Sequence, residues 1–222
     1  MSGLMTSVRR WYLGLPPITA GVAIGLAAVY VVLLVLRFAW PEGSEAVWAW
    51  LALVPVDAWQ RPWTLATMFL LHVDPLQLLF NIIAFTSLAP WVERSLGRRR
   101  FPLLLATASL SGAVAYTLIG WPLGWNSPAF GASGPVLGAM TAFALLYPEA
   151  QLRFWFAAPL KAKNLVWLIV GIDAILVASG TRIDVPIHLG AMLGTWAFLR
   201  KPWQAAYRRR VRLWMLRMRG TR

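Results

Sequence analysis

The chain has 222 residues, 59% of them hydrophobic, a mean hydropathy of +0.62 and a formal charge of +13. Soluble domains average nearer half apolar, and here the excess falls in long runs bounded by Arg, Lys, Pro and Gly, the pattern of membrane spans. The lack of cysteine excludes disulfides, a thiolate nucleophile and thiolate metal sites, and two histidines make a poor catalytic metal centre, so neither metal nor cofactor is expected.

In chain order, the first apolar run covers about Ile18 to Leu36 and follows Arg9 and Arg10. It is too long for the apolar core of a signal peptide and reads as an uncleaved anchor. The segment from Trp40 to Trp63 carries five tryptophans, with Glu42, Glu45 and Asp57 among them. It is too polar to span and too aromatic for a solvated loop, which points to the outer membrane interface. The second run covers Pro75 to Val92 and the third Pro102 to Ile119. The Gly/Pro-rich, uncharged stretch from Gly120 to Gly131 leads into the fourth, Ser133 to Tyr147. A helix of that length rises roughly 21 Å, short of about 30 Å of hydrocarbon. Its start is therefore expected below the outer surface, with the irregular stretch buried in protein or lining a wet cavity. The fifth run covers Leu165 to Ser179 and the sixth Val185 to Leu199. The tail, residues 200–222, mixes arginines with Trp203, Tyr207, Leu213, Trp214 and Leu216, as a basic amphipathic helix on a membrane surface does.

These runs predict an all-α membrane protein with six transmembrane helices. Residues 1–17 form a cytoplasmic segment, 18–199 the membrane domain and 200–222 the tail. With the N-terminus in the cytoplasm, 18 of the 21 Lys and Arg fall on the cytoplasmic side, leaving Arg37, Arg61 and Arg182 outside. That bias fits a multi-pass protein of the inner (plasma) membrane with both termini cytoplasmic. The basic blocks lie between apolar runs with no base-stacking platform among them, so the expected partners are membrane lipids and not nucleic acid.

Two residues suggest covalent chemistry. Ser133 opens the fourth span and His188 lies at the start of the sixth. A serine needs a base within hydrogen-bond reach, and that base must come from another helix. The fourth span carries Gly134 and Gly138, the sixth Gly190 and Gly194. Such small-xxx-small faces let membrane helices touch closely, which predicts that Ser133 and His188 can meet. Attack on a carbonyl also needs donors for the oxyanion. Gln77 and Asn81 are four residues apart on one face of the second span. Asn81 is the stronger candidate and Gln77 can assist. Asp173 is a lone carboxylate in the fifth span. It is placed about midway along that span while His188 is near the outer end of its own, so the reading favours a structural bond or a protonated acid over an orienting role.

These residues resemble the rhomboid intramembrane serine proteases over the six-span core, roughly Ile18 to Leu199. The resemblance rests on Gly131-Ala132-Ser133-Gly134 with Gly138, on His188-Leu189-Gly190, and on His72 nine residues before Asn81. Trp63 and the run Glu93-Arg94-Ser95-Leu96-Gly97 also match. It implies a Ser–His dyad in which Ser133 forms an acyl-enzyme and His188 shuttles the proton. It further implies that Asn81 and the Ser133 backbone N–H stabilise the oxyanion, with His72, Gly131 and Gly134 supporting. The substrate would be another membrane protein, cut in or near its transmembrane segment after lateral entry past the fifth span and the outer cap loop. Gln77 stands where many members have a second histidine, Thr64 where Arg follows the loop Trp, and Ala191 and Thr195 where glycines are common. The alternative reading is a rhomboid-like pseudoprotease that binds membrane clients without cutting them.

Overall fold

The computed structural model describes residues 14–152, 159–179 and 184–200. Arg9, Arg10, Arg153 and Arg182, and the expected amphipathic tail beyond Arg200, lie outside them. Helix α1 is Pro17–Ala39, followed directly by α2, Pro41–Leu51. A 3₁₀ turn at Pro55–Asp57, the four-residue α3 at Thr64–Thr67 and a second 3₁₀ turn at Met68–Leu70 complete the first loop. The tract Pro75–Gly120 is helical throughout except at Gly97, whose φ of 79° and ψ of 170° break it. The rings of Phe85 and Phe101 lie 6.3 Å apart, whereas a straight helix would separate those residues by about 24 Å. The chain thus doubles back at Gly97, giving α4 (75–96) and α5 (98–120). Helices α6 (Ser133–Leu146), α7 (Ala162–Ala178) and α8 (Val185–Leu199) follow.

The six long helices fall on the six apolar runs. Pro17–Ala39 and Pro75–Gly120 are long and apolar enough to cross a membrane, and Ser133–Leu146 and Val185–Leu199 are shorter apolar helices. One feature departs from an all-helical reading. Gln151–Leu152 pairs antiparallel with Leu160–Lys161 as strands β1 and β2, joining α6 to α7.

Helix α6 is the most enclosed, with 10 of its 14 residues buried. It packs with α5 and α8 around Phe101, Leu104, Val136, Ala139 and Phe143. In contrast, α7 buries only Ala162, Leu165 and Asp173. Helix α1 is also peripheral, and its start is tied down by one carboxylate. Pro16 provides no side-chain cap there, yet the first N–H groups of a helix need acceptors. Buried Glu93 supplies them. Its Oε1 accepts from Ile18 N at 3.1 Å, and its Oε2 accepts from Thr19 N and Thr19 Oγ1, each at 2.7 Å. Arg94 adds a bond from its guanidinium to Gly14 O at 3.0 Å.

The glycine faces are used at close helix contacts, and α5 shares them. A Cβ on Gly190 would lie 2.6 Å from Ser111 O and 2.6 Å from the Ala115 methyl, and one on Gly194 would strike Ser111. Both glycines of α8 therefore face α5. On α6, a Cβ on Gly138 would strike Ala108 and lie 3.2 Å from Thr195 Oγ1 of α8, while Gly134 lies over the backbone of Ser109 with Ile187 of α8 at the edge. The glycines of α8 thus pack on α5, while those of α6 pack on α5 and also approach Ile187 and Thr195 of α8. The physical reason is in α5 itself, where Thr107, Ser111 and Ala115, with Ala108 and Gly112 beside them, form a small-residue stripe at four-residue spacing.

Candidate active site

The turn from Phe130 into α6 fixes the serine. Leu53 and Ala129 exchange two backbone bonds, Leu53 N to Ala129 O at 3.1 Å and Ala129 N to Leu53 O at 2.7 Å. Tyr116 Oη donates to Ser127 O at 2.9 Å, and Gly131 N to Met68 O at 3.0 Å. The irregular approach to α6 is thus stitched to the first loop and α5, which satisfies backbone groups that would otherwise be orphaned. Gly131 has φ +113°, a conformation that a side chain would strain. Ala132 precedes the helix as its N-cap, and Ser133 is the first helical residue. First-turn N–H groups have no intrahelical acceptor, so the amides of Ser133 and Gly134 are open donors at the positive end of the helix dipole.

Three side chains converge on this turn from the start of α4. Asp74 caps that helix by accepting from Leu76 N at 2.8 Å, and Pro75 follows at its first position. His72 sits just before it, 2% exposed. Its Nε2 accepts from the Ala132 amide at 3.2 Å and lies 3.2 Å from the Asn81 amide nitrogen. An Nε2 that accepts leaves the ring proton on Nδ1. Desolvation by burial also lowers the pKa of His72, against a smaller opposing effect from the Leu70 carbonyl, which favours that neutral ring. His72 also lines a cavity of about 500 Å³ with Tyr30, Arg37, Ser44 and Trp48. The Gln77 amide nitrogen would lie only 3.1 Å from a Cβ on Gly131. His72, Asn81, Gln77 and the Gly131–Ser133 turn therefore form one cluster.

His188 approaches from α8. It is buried, and its neighbour Ile187 packs against Gly134 and Gly112. Its Nε2 is enclosed and has no hydrogen-bond partner; the nearest carboxylate to it is Asp184 Oδ2 at 3.8 Å, one turn earlier. No hydrogen bond joins Nε2 to Ser133 Oγ in this structure. Nδ1 is firmly held, 2.9 Å from Asp173 Oδ1 and 3.0 Å from Oδ2. The expectation that Asp173 lies at a different depth from His188 is therefore wrong. Asp173 is five residues from the C-terminal end of α7 and His188 three from the start of α8. At 1.5 Å per residue that is a mismatch of about 3 Å, which the two side chains span easily.

The first loop is fixed by its own contacts. Trp63 Nε1 donates to Trp50 O at 2.8 Å, and the two indole rings lie 4.5 Å apart. The guanidinium held in this loop belongs to Arg61, which donates to Ala49 O at 2.9 Å and sits 5.8 Å over the Trp50 ring. Thr67 Oγ1 donates to Leu51 O at 2.8 Å. Ala191 and Thr195 are fully buried on α8, so the larger residues at those two places are accommodated within the packed core.

A serine at an open helix start, a buried histidine with a free ring nitrogen and convergent amides are the parts of an acyl-transfer site. Comparison with known proteins points the same way. The chain is 30% identical to rhomboid protease GluP of Bacillus subtilis over 132 residues, covering 60% of this chain and 24% of that protein. It is 28% identical to rhomboid protease GlpG of Pectobacterium atrosepticum over 180 residues, 80% of this chain and 59% of the relative. A GlpG homologue of Cronobacter sakazakii is 31% identical over 134 residues, 58% of this chain and 46% of that one. The chain thus matches less than two thirds of the length of each relative. A family model described as the rhomboid domain matches residues 59–201, a stretch that contains every side chain of the cluster above. With more than half of its length matched and the site inside the match, the chain belongs to the rhomboid family.

Proposed function

We propose that the protein is an intramembrane serine endopeptidase that cleaves transmembrane segments of other membrane proteins. Ser133 Oγ attacks the peptide carbonyl, and its proton passes to His188 Nε2. The tetrahedral oxyanion is received by the Ser133 N–H and the Asn81 amide, with Gln77 as an auxiliary donor. His188 then protonates the leaving amine, and water releases the acyl group from Ser133 by the reverse sequence. His72 holds Asn81 and the Ala132 amide in place, and Gly131 and Gly134 allow the close backbone approaches around Ser133.

The observation that carries this reading is the buried, unpartnered Nε2 of His188 beside the helix that begins with Ser133. A burial of that kind is costly unless the nitrogen has a use. Catalytic hydrogen bonds are commonly long before substrate binds and tighten in the Michaelis complex. Gln77 retains donor capacity where a histidine would stand, and it does so without a titration near neutral pH.

The surrounding reading follows from charge and hydropathy. We infer six crossings over 18–199, both termini in the cytoplasm, and a first loop seated in the outer interface through exposed Trp40, Trp50 and Trp59. The 200–222 tail would lie on the cytoplasmic leaflet. Membrane lipids and transmembrane substrates are the partners, and no cofactor takes part. The test is cleavage of a transmembrane reporter by the reconstituted protein and by Ser133→Ala. Cleavage by the wild type alone supports the proposal. Cleavage by neither would leave a client-binding, non-cleaving protein.

A further inference from the structure

We propose that Asp173 is a positioning residue for His188, making the site a Ser133–His188–Asp173 triad in place of a two-residue dyad. The inference rests on the proteolytic reading above and deepens it.

The geometry is specific. Both carboxylate oxygens of Asp173 lie at hydrogen-bond distance from the same nitrogen, His188 Nδ1. A carboxylate only accepts, so the shared hydrogen sits on Nδ1. That tautomer leaves Nε2 with its lone pair, and Nε2 is the nitrogen with no partner. One contact thus sets the two properties a general base needs, the correct tautomer and a fixed ring direction. Asp184 does not replace it. It lies on the same helix as His188, and its carboxylate is on the Nε2 side at 3.8 Å, beyond hydrogen-bond range.

The placement of Asp173 supports a dedicated role. Beyond the first turn of α7 it is that helix's one buried residue, 4% exposed, among exposed Ile172, Ile175 and Val177. Burying a carboxylate requires a partner, and the partner it has is the base. During attack the proton leaves Ser133 Oγ for Nε2 as the Oγ–C bond forms. Nδ1 keeps its own proton, and Asp173 remains ionised opposite the imidazolium. When the C–N bond breaks, the Nε2 proton leaves with the amine, and the ring returns to its starting tautomer. Asp173 neither gains nor loses a proton.

The experiment compares wild type, Ser133→Ala, Asp173→Asn and Asp173→Glu, as full-length chains in proteoliposomes with a transmembrane reporter. Rates are normalised to folded enzyme. Asparagine keeps the size and hydrogen-bonding capacity of Asp173 but removes the charge and can offer Nδ1 an N–H, which favours the wrong tautomer. The expected result is a kcat lowered on the order of 10²–10⁴-fold with KM within about twofold. Phosphonate labelling of Ser133 should slow in parallel, and Asp173→Glu should recover part of the loss. A purely structural bond would instead survive Asp173→Asn or lower only the folded fraction. A folded Asp173→Asn with kcat within about threefold of wild type would overturn the proposal. Asp173→Ser, smaller and neutral, carries the same two outcomes if Asp173→Asn does not fold. If neither neutral variant folds, the role of Asp173 is structural and the proposal falls. Failure of the wild type itself to cleave would fail the proteolytic reading, a result separable from normal turnover in Asp173→Asn.

Discussion

Gly131→Ala probes the turn that aims the nucleophile. Gly131 has φ +113°, a conformation that costs a residue with a Cβ about 1–3 kcal/mol. The added methyl would also sit 3.1 Å from the Gln77 amide nitrogen. That nitrogen ends a flexible side chain and can retreat by a few tenths of an ångström, so backbone strain is the larger effect. Relief of the strain rotates the peptide leading into Ala132 and Ser133. A displacement of Ser133 near 1 Å lowers a rate about 10²-fold. Gly131→Ala is therefore expected to lose about 1–3 kcal/mol of stability and on the order of 10²-fold in kcat. Gly25→Ala is the control. It lies inside α1 with nothing within 4 Å of an added Cβ, and should gain roughly 0.5–1 kcal/mol with unchanged kcat. The assay is reporter turnover in proteoliposomes, paired with the thermal unfolding midpoint in detergent. Wild-type turnover and midpoint in Gly131→Ala would show that the positive φ at Gly131 does not aim Ser133.

Three further outcomes are expected. Asn81→Ala should reduce kcat roughly 10²–10³-fold with little change in KM; an unaltered kcat would remove Asn81 from the oxyanion site. Glu93→Ala strands three donors at the start of α1, and hydrogen bonds to charged groups contribute about 1.5–3 kcal/mol each. Its thermal midpoint should fall well below that of wild type, and a midpoint that stays put would contradict the capping role. The exposed carboxyl of Glu149 is held down to about 2, first by Lys163 and then by Lys161. Its folded pKa lies below the unfolded value of 4.5. Its contribution is therefore complete above pH 4.5 and disappears as pH falls toward 2. Any deficit of Glu149→Gln should shrink on acidification, so a deficit that grows there would be inconsistent with the pairing.

Helix positions were legible because apolar runs bounded by charge, Pro and Gly leave few choices of boundary. Val185–Leu199 is placed to the residue, and the short α6 starts at Ser133 as its composition indicates. Contacts between helices were less legible. The Gly134/Gly138 and Gly190/Gly194 patterns announce close approach without naming a partner, and the complementary stripe on α5 was the missing clue. The pairing of Asp173 with His188 was misjudged from depth along the helix axis. A few ångströms of axial offset are small beside the combined reach of an aspartate and a histidine. Gln77 and Asn81 were readable as one helix face from their spacing, and His72 from the resemblance to the family. The bond from His72 to the Ala132 amide was not, because it crosses sixty residues of sequence. The β1–β2 pair escaped notice because two-residue strands carry no periodicity.

The most direct measurement of the central claim is the site of covalent modification by a serine-directed phosphonate, read by intact mass and peptide mapping on the reconstituted protein. A single adduct on Ser133 is expected, absent from Ser133→Ala and strongly slowed in His188→Ala. No adduct on the folded wild type, or one that forms equally well without His188, would contradict that claim.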